Sequence, residues 1–129
     1  MRVSTKGRYA LRMMIEFGLN PDQCTKISQV AARQGISDKY LEQIVPVLNR
    51  SDILQTNRGF QGGYKLAKSP DHYTVGQILR LTEGSLAPVA CLEHEPLECE
   101  RKYDCATLSL WQGLYKVINE YLDGITLQD

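Results

Sequence analysis

The sequence predicts a mostly α-helical protein with a small β-hairpin wing, arranged as a winged helix-turn-helix followed by a long C-terminal dimerisation helix. Three observations predict this class. Apolar residues recur at helical spacing in the first half of the chain, two strand-like segments flank a glycine-rich stretch, and a second helical stripe closes the sequence. The 129 residues, 43% of them hydrophobic, suit one small domain with an appended element. No apolar run approaches the roughly 20 residues that a membrane span needs.

The N-terminal part of the chain predicts three helices. Apolar residues at i, i+3, i+4 and i+7 give the first helix one buried face, formed by Ala10, Met13, Met14 and Phe17. Asn20-Pro21-Asp22 ends this helix, since proline lacks the amide that a helix needs. A second short helix has an apolar stripe of Ile27, Val30 and Ala31. Gly35 marks a turn and Ser37 is a good N-cap for the third helix, in which Pro46 predicts a kink or an early end.

A β-ribbon and a fourth helix follow. Residues 53–56 and 64–67 are strand-like, and the glycines between them supply the positive φ values that a hairpin loop needs. A glycine-tipped ribbon after two short helices is typical of a winged helix-turn-helix. Thr74 to Gln77 match a capping box that opens the fourth helix, and Gly84 is its predicted end.

The remaining residues divide into a loop and a long helix. Residues 85–106 have no clear period and hold three cysteines and five acidic residues, so we expect a functional loop. Beyond it, a helical stripe comprises Trp111, Leu114, Tyr115, Ile118, Tyr121, Leu122 and Ile125. This stripe predicts a partner helix from a second copy, although packing onto its own domain is the simpler alternative. We therefore expect a winged domain over 1–84, a sensor loop over 85–106 and a dimerisation helix with its tail over 107–129.

The formal net charge of zero conceals an uneven distribution. Residues 1–68 hold 11 Lys and Arg against 5 Asp and Glu, a balance of +6, whereas residues 69–129 hold 4 against 10, a balance of −6. A basic half favours a polyanionic partner such as DNA. The charged N-terminus is interrupted too early for the apolar core of a signal peptide, so we expect a cytoplasmic protein without membrane contact.

The third helix is the expected DNA reader, because a helix fits the major groove while a wing reaches neighbouring phosphates or the minor groove. Gln43 suits adenine, Glu42 can accept a hydrogen bond from cytosine, and Ser37 brings the helix N-terminus to a phosphate. The other expected DNA contacts come from Lys6, Arg8, Arg12, Lys39, Tyr40, Arg58 and Gly59. The alternative is that these side chains form the solvated faces of small helices. A homodimer would supply the two reading heads that a palindromic double-stranded operator requires.

Three of the four cysteines lie within 15 residues, at the spacing C-x7-C-x5-C formed by Cys91, Cys99 and Cys105. Thiolates in one loop can bind a soft metal centre such as an iron–sulfur cluster or zinc. Zinc with His94 as the fourth ligand is one alternative, and a set of exposed thiols without metal is another. Cys24 stands apart from this group and is expected to be an incidental thiol.

Several motifs resemble one known family. They are Ser4-Thr5-Lys6-Gly7-Arg8-Tyr9-Ala10, Ile36-Ser37-x-x-Tyr40-Leu41-Glu42-Gln43, Arg58-Gly59-x-x-Gly62-Gly63-Tyr64 and Gly124-Ile125-Thr126-Leu127. Over nearly its whole length the chain resembles the second Rrf family of bacterial winged-helix transcription regulators, typified by the iron–sulfur cluster regulator IscR. The resemblance implies a homodimer and a loop that can hold a 2Fe–2S cluster on Cys91, Cys99 and Cys105.

The chain departs from the family pattern at the expected cluster ligands. The first cysteine gap is longer than in the typical IscR pattern, and Leu108 stands where a histidine typically follows the third cysteine. Other cluster-bearing relatives borrow an acidic ligand from the partner's first helix, where this chain has Lys6-Gly7-Arg8. The fourth ligand is therefore unassigned, with His94 as a candidate. Family members without cluster cysteines, such as the cysteine-metabolism repressor CymR, respond through a partner enzyme, and residues 84–89 resemble that branch.

These observations lead to one interpretation and two alternatives. The interpretation is a dimeric DNA-binding transcriptional regulator of the repressor type that senses iron–sulfur, redox or nitric oxide status through the cluster. The first alternative is a cluster-free regulator of cysteine and sulfur metabolism that a protein partner controls. The second, an enzyme, is not expected, because the sequence shows no Ser/His/Asp set, no Gly-rich phosphate loop and no HExxH motif.

Overall fold

A computed structural model of the chain describes residues 2–59, 62–94 and 104–129. Along these ranges the regular elements are α1 (Thr5–Leu19), α2 (Ile27–Gln34), α3 (Asp38–Asn49), β1 (Leu54–Asn57), β2 (Gly63–Leu66), α4 (Val75–Glu83) and α5 (Leu108–Asp123), with 3-10 turns at Pro70–His72 and Ala90–Leu92. The predicted mostly α class with a β-hairpin wing is confirmed. No helix in the described part of the chain is long and apolar enough to cross a membrane.

Helix α1 lies at the centre of the winged domain. Its predicted apolar face is fully buried and consists of Ala10, Met13, Met14 and Phe17. Helix α1 packs against α2, α3, α4 and β2, so these elements share one core. Ser4 caps the helix, since its hydroxyl accepts a hydrogen bond from the Gly7 amide at 3.1 Å. The amide and hydroxyl of Ser4 also donate to Glu83 Oε1 at the end of α4, at 3.2 and 2.6 Å.

Helices α2 and α3 form the predicted helix-turn-helix. Gly35 ends α2 with a φ of +66°, and its amide donates to the Ala31 carbonyl. Helix α3 buries the predicted apolar side, which consists of Leu41, Ile44, Val45 and Leu48. The early end predicted at Pro46 is wrong, because α3 continues to Asn49. Pro46 is exposed, so water can reach the Glu42 carbonyl that the proline leaves without an amide partner.

The wing is attached near its loop end to the segment that precedes α2. Strands β1 and β2 pair antiparallel, with Asn57 opposite Gly63. Thr25 adds an isolated bridge to Tyr64, and the two N···O distances of this bridge are 2.8 and 2.9 Å. Glycine is required at position 63, since its φ is +141° and a Cβ would collide with the Thr25 backbone. The wing therefore has a fixed position relative to the start of α2.

Tyr73 ties the two ends of the ribbon together from inside the core. Its side chain is almost fully buried, and its hydroxyl donates to the Ile53 carbonyl at 2.8 Å and accepts from the Lys68 amide at 3.0 Å. Ile53 immediately precedes β1, and Lys68 follows β2 by two residues. One side chain thus bonds to both sides of the ribbon at the base of the wing, where the Ile53 carbonyl also accepts from the Ala67 amide at 3.1 Å.

Helix α5 is attached to the winged domain through its C-terminal end. The Arg80 guanidinium donates to both carboxylate oxygens of Asp123, at 2.7 and 2.9 Å, and to Asn119 at 2.8 Å. The hydrogen bond from Arg80 holds the pKa of Asp123 below its usual value and, in return, raises the pKa of Arg80. Gly76 allows this close approach, since a Cβ there would collide with the Asp123 carboxylate.

The segment after α4 is more structured than the loop predicted over 85–106. Leu86 and Leu92 are buried, and Ala90–Leu92 form a 3-10 turn. A single three-residue turn is too short to produce a detectable hydrophobic period, which explains why the pattern predicted only a loop. Residues 95–103 of the predicted sensor loop lie outside the described residues.

Replacing Tyr73 by phenylalanine should lower the free energy of unfolding by about 1–3 kcal/mol, because the Lys68 amide loses its acceptor and the Ile53 carbonyl loses one of its two donors. Urea denaturation monitored by circular dichroism measures this change. Tyr64→Phe is the matched control: this ring also packs at the edge of the core, and we expect its loss to stay within about 0.5 kcal/mol. Equal losses in the two variants would contradict the role assigned to the Tyr73 hydroxyl.

Candidate nucleic-acid interface and cysteine segment

A groove of about 340 Å³ separates the start of α3 from the wing. Helix α3 lines it with Asp38 and Glu42, and the wing lines it with Asn57 and Gly59. The start of α2 closes one end, because the Thr25–Tyr64 bridge holds the wing there. The groove therefore brings together two residues that were predicted separately from the helix and the ribbon, Glu42 and Gly59.

The predicted reading residues of α3 share its outer face. Four side chains are exposed there, those of Ser37, Lys39, Glu42 and Gln43. Their neighbours Leu41 and Ile44 are buried in the core, so the register of the helix is fixed by packing. This face is polar, mixed in charge and supported from behind, which is the arrangement that a DNA-reading helix needs.

Tyr40 lies between this face and the core. Its ring meets the Tyr9 ring edge-on, with centroids 5.5 Å apart and an interplanar angle of 80°. The ring is half-buried, so packing on α1 is one function of Tyr40 that the sequence pattern did not predict.

The other predicted contact residues lie on the wing and at the start of α1. Arg58 and Gly59 are exposed, and Gly59 has a φ of +116° that favours glycine. Lys6 is half-buried in the first turn of α1, beside the end of α4 that Ser4 contacts. Lys6 thus belongs to a different part of the surface from the groove.

The groove also contains residues that were not predicted from the sequence. Lys26 and Ser28 line it from the start of α2, together with Asn57 from β1. The Gln29 side chain accepts a hydrogen bond from the Lys26 amide at 2.9 Å, which fixes the start of this helix. Lys26 and Ser28 at a predicted helix start could have indicated a phosphate contact from the sequence. Their place beside the wing follows from the Thr25–Tyr64 bridge, which the sequence pattern does not show.

The three cysteines within the described residues lie in three different segments of the chain. Cys91 is half-buried in the 3-10 turn, and Cys105 is half-buried shortly before α5, with its sulfur 3.7 Å from the Thr107 hydroxyl. Cys24 lies in the loop between α1 and α2, beside Asn57. The predicted ligand Cys99 lies outside the described residues. Within 2–59, 62–94 and 104–129, no three His, Cys, Asp or Glu side chains converge on a point that could hold a metal ion.

The candidate fourth ligand His94 is exposed and directly follows the turn that carries Cys91. The described residues include no convergence of His94 with two further metal-ligating side chains. The assignment of His94 as a ligand stays a prediction.

The structure also contains one Ser/Asp/His group that was not predicted from the sequence. Ser69 Oγ donates to the Asp71 carboxylate, lies 2.6 Å from His72 Nδ1, and precedes the 3-10 turn Pro70–His72. Asp71 lies 3.2 Å from the same Nδ1 atom, and the hydrogen bond from Ser69 lowers the pKa of Asp71. In a nucleophilic triad the serine and the carboxylate contact opposite nitrogens of the histidine. Here both approach Nδ1, so the group is a local turn rather than a catalytic relay.

Helix α5 carries two apolar faces where the sequence predicted one stripe. The half-buried face consists of Trp111, Tyr115, Ile118 and Leu122. The other face is 41–60% exposed and consists of Leu110, Leu114, Val117 and Tyr121. The predicted stripe combined members of both faces, because Leu114 and Tyr121 adjoin the half-buried residues on the helix surface. An exposed apolar face on a helix of this length is typical of a protein contact surface.

Known proteins resemble this chain in both sequence and structure. The sequence model of the Rrf2 family, described as an iron-dependent transcriptional regulator, matches residues 3–129. The transcriptional regulator CymR of Bacillus subtilis (strain 168) is 37% identical over 130 residues, covering 100% of this chain and 88% of CymR. The transcriptional regulator IscR of Aliivibrio salmonicida is 34% identical over 128 residues, covering 98% of this chain and 75% of IscR.

Solved structures agree with the architecture. The structure of CymR (YrzC), named as the global cysteine regulator of B. subtilis, superposes with a TM-score of 0.84 at 36% identity, covering 100% of this chain and 95% of that chain. The structure of T. potens IscR gives a TM-score of 0.78 at 36% identity, with coverages of 100% and 85%. The winged domain, the C-terminal helix and the match over residues 3–129 together show that this chain belongs to the Rrf2 family of transcriptional regulators.

Proposed function

We propose that the chain acts as a homodimer that binds double-stranded DNA through α3 and the wing and so controls transcription. The observation that carries the proposal is the shared groove, which Glu42 on the exposed polar face of α3 lines together with a wing held by the Thr25–Tyr64 bridge. Rigidly held polar groups can match the donor and acceptor pattern of base edges, whereas mobile ones lose entropy on binding.

The residues of this surface divide into base readers and phosphate contacts. Gln43 reads adenine through its amide, and Glu42 accepts a hydrogen bond from a cytosine amino group. Lys39 contacts phosphates, and Ser37 holds the α3 N-terminus at one. Arg58 reaches the adjacent backbone or minor groove from the wing, where the absence of a side chain at Gly59 permits a close approach.

Further residues extend the DNA-binding surface on this proposal. Lys26 and Ser28 place the start of α2 beside the DNA strand that α3 contacts, since both residues line the same groove as α3. Lys6 adds a contact from α1 to the DNA backbone. Tyr40 contributes its hydroxyl edge, because its ring is packed on Tyr9.

The exposed face of α5 supports the dimer. Four large side chains at i, i+4, i+7 and i+11 form a continuous apolar strip, consisting of Leu110, Leu114, Val117 and Tyr121. Covering this strip with the same strip of a second copy would give a two-fold symmetric pair and two reading heads for a palindromic operator. On this basis residues 1–84 read DNA, 85–106 sense a signal and 107–129 dimerise.

DNA binding can be tested with a duplex that the native chain selects from a random-sequence library. Two chains should bind each selected duplex, and affinity should fall steeply with salt as counterions are released. Arg58→Ala should weaken binding to the selected and scrambled duplexes equally. It should also reduce the slope of log affinity against log salt concentration by about 1. Gln43→Ala should leave the slope unchanged and reduce discrimination between the two duplexes by about 5–150-fold.

Lys116→Ala is the matched control for this experiment, because Lys116 is an exposed cation on α5, outside the proposed surface. It should leave affinity and discrimination unchanged. Native-like binding by both Arg58→Ala and Gln43→Ala would contradict the assigned faces.

We also propose that the cysteine segment senses iron–sulfur, redox or nitric oxide status through a 2Fe–2S cluster on Cys91, Cys99 and Cys105. The donor chemistry fits, since several thiolates in one segment are the usual ligands of such a cluster. When bound, the cluster would supply one-electron redox chemistry. Cys91 directly precedes the buried Leu92, so a change in the position of Cys91 acts on a side chain anchored in the core.

A second candidate is a cluster-free regulator of cysteine and sulfur metabolism that a protein partner controls. The 37% identity to CymR and the TM-score of 0.84 with the structure named as a global cysteine regulator favour it. On this candidate the three cysteines are dispensable for regulation.

Spectroscopy of anaerobically purified protein separates the two candidates. The cluster proposal predicts visible absorption together with equal amounts of bound iron and acid-labile sulfide. Cys105→Ala should lose both, whereas Cys24→Ala, the matched control in the α1–α2 loop, should keep them. Colourless, iron-free protein that resists cluster reconstitution would overturn the cluster and leave the partner-controlled regulator.

A further inference from the structure

A buried polar network joins α1 to the end of α2. Glu16 is 5% exposed and is the one charged residue buried within the described ranges. Its Oε1 atom accepts from Gln34 Nε2 at 2.6 Å, and its Oε2 atom lies 3.2 Å from Arg33 Nη1. One helical turn earlier, Arg12 donates from Nε to Gln34 Oε1 and from Nη2 to the Gln34 carbonyl, both at 2.8 Å. We call Arg12, Glu16 and Gln34 the α1–α2 clamp.

The clamp also reaches the reading helix. The Arg12 guanidinium lies over the Tyr9 ring, 5.4 Å from its centroid, and the Tyr9 ring meets Tyr40 in the first turn of α3. Tyr9, Arg12 and Glu16 occupy one face of α1, so a single helix face holds the end of α2 and the start of α3. The turn between these two helices contains Gly35, where an added Cβ would meet no atom within 4 Å. The next residue, Ile36, is buried in the core, so apolar packing and the clamp act together on this turn.

A buried polar network such as the clamp stabilises a core less effectively than apolar packing does. A buried carboxylate loses its hydration, and well-packed apolar residues often give equal or greater stability at such positions. The clamp instead restricts the orientation of α2 relative to α1. A guanidinium that donates hydrogen bonds through two nitrogens can do so only over a narrow range of angles. Arg33 is more than half exposed, so its ion pair with Glu16 contributes little to this effect.

We propose that the α1–α2 clamp consists of positioning residues that set the orientation of α3 for base readout. The inference rests on the proposed function, in which α3 reads DNA. It also changes the role expected for Arg12, which the sequence suggested as a contact to the DNA backbone. Arg12 instead acts within the protein, through Gln34 and the Tyr9–Tyr40 pair, and touches no phosphate.

Substitutions at position 16 separate positioning from stability. Glu16→Leu leaves the Gln34 amide without its acceptor, so it should lower the thermal midpoint. Measured well below that midpoint, where the variant is folded, it should also lower discrimination between selected and scrambled duplexes by about tenfold. Glu16→Gln is the matched control, because its amide oxygen can still accept from Gln34, and it should retain native discrimination. A role confined to stability predicts native discrimination in both variants at any temperature where they are folded.

Arg12→Gln distinguishes positioning from phosphate contact. Positioning predicts lower discrimination with an unchanged salt slope, whereas a phosphate contact predicts a slope that is shallower by about 1. Arg12→Lys keeps the charge but loses the two-nitrogen geometry, so it should lower discrimination as Arg12→Gln does. This pair also provides the test if Glu16→Leu does not fold.

Each outcome has a defined meaning. Native discrimination in Glu16→Leu or Arg12→Gln, or a shallower salt slope in Arg12→Gln, overturns the clamp while leaving the proposed function intact. A native chain that selects no duplex from the library overturns the proposed function and the clamp's role with it.

Discussion

The burial of one face of α1 is the constraint on which the rest of the structure depends. Ala10, Met13, Met14 and Phe17 are fully buried there, and the three larger side chains each contribute about 1.5–3 kcal/mol through burial alone. Because the same helix contacts α2, α3, α4 and β2, its position determines where the reading helix and the wing can lie. The polar clamp on a second face of α1 adds directional hydrogen bonds to α2 and, through the Tyr9–Tyr40 pair, a further contact to α3.

Helix α4 connects this reading unit to the rest of the chain. Its end accepts hydrogen bonds from Ser4 at the start of α1, and Arg80 near its end binds Asp123 of α5. The cysteine segment begins directly after α4, and its buried Leu86 and Leu92 hold it to the domain. The charge distribution follows the same division, since the +6 half contains α3 and the wing and the −6 half contains α4, the cysteine segment and α5.

Elements set by local chemistry were predictable from the sequence, and contacts between distant segments were not. The buried face of α1, the cap at Thr74 and the glycine end of α2 follow from spacing and residue type, and the structure confirms them. The Thr25–Tyr64 bridge and the clamp at Glu16 depend on tertiary proximity, which periodicity does not encode. The early end predicted at Pro46 was wrong because the free energy that a proline costs a helix depends on the exposure of that position. The stripe predicted for α5 mixed two faces because apolar residues lie on adjacent faces of this helix.

Hydrogen exchange measured by mass spectrometry, with and without a selected duplex, tests the central claim most directly. We predict that DNA slows exchange in residues 38–43 of α3 and 54–59 of the wing, which lie on either side of the groove. Exchange in α5 should stay unchanged, because the proposed dimer contact is present in both states. Protection that spares α3 and the wing, or that appears only in α5, would contradict the assignment of the DNA-reading surface.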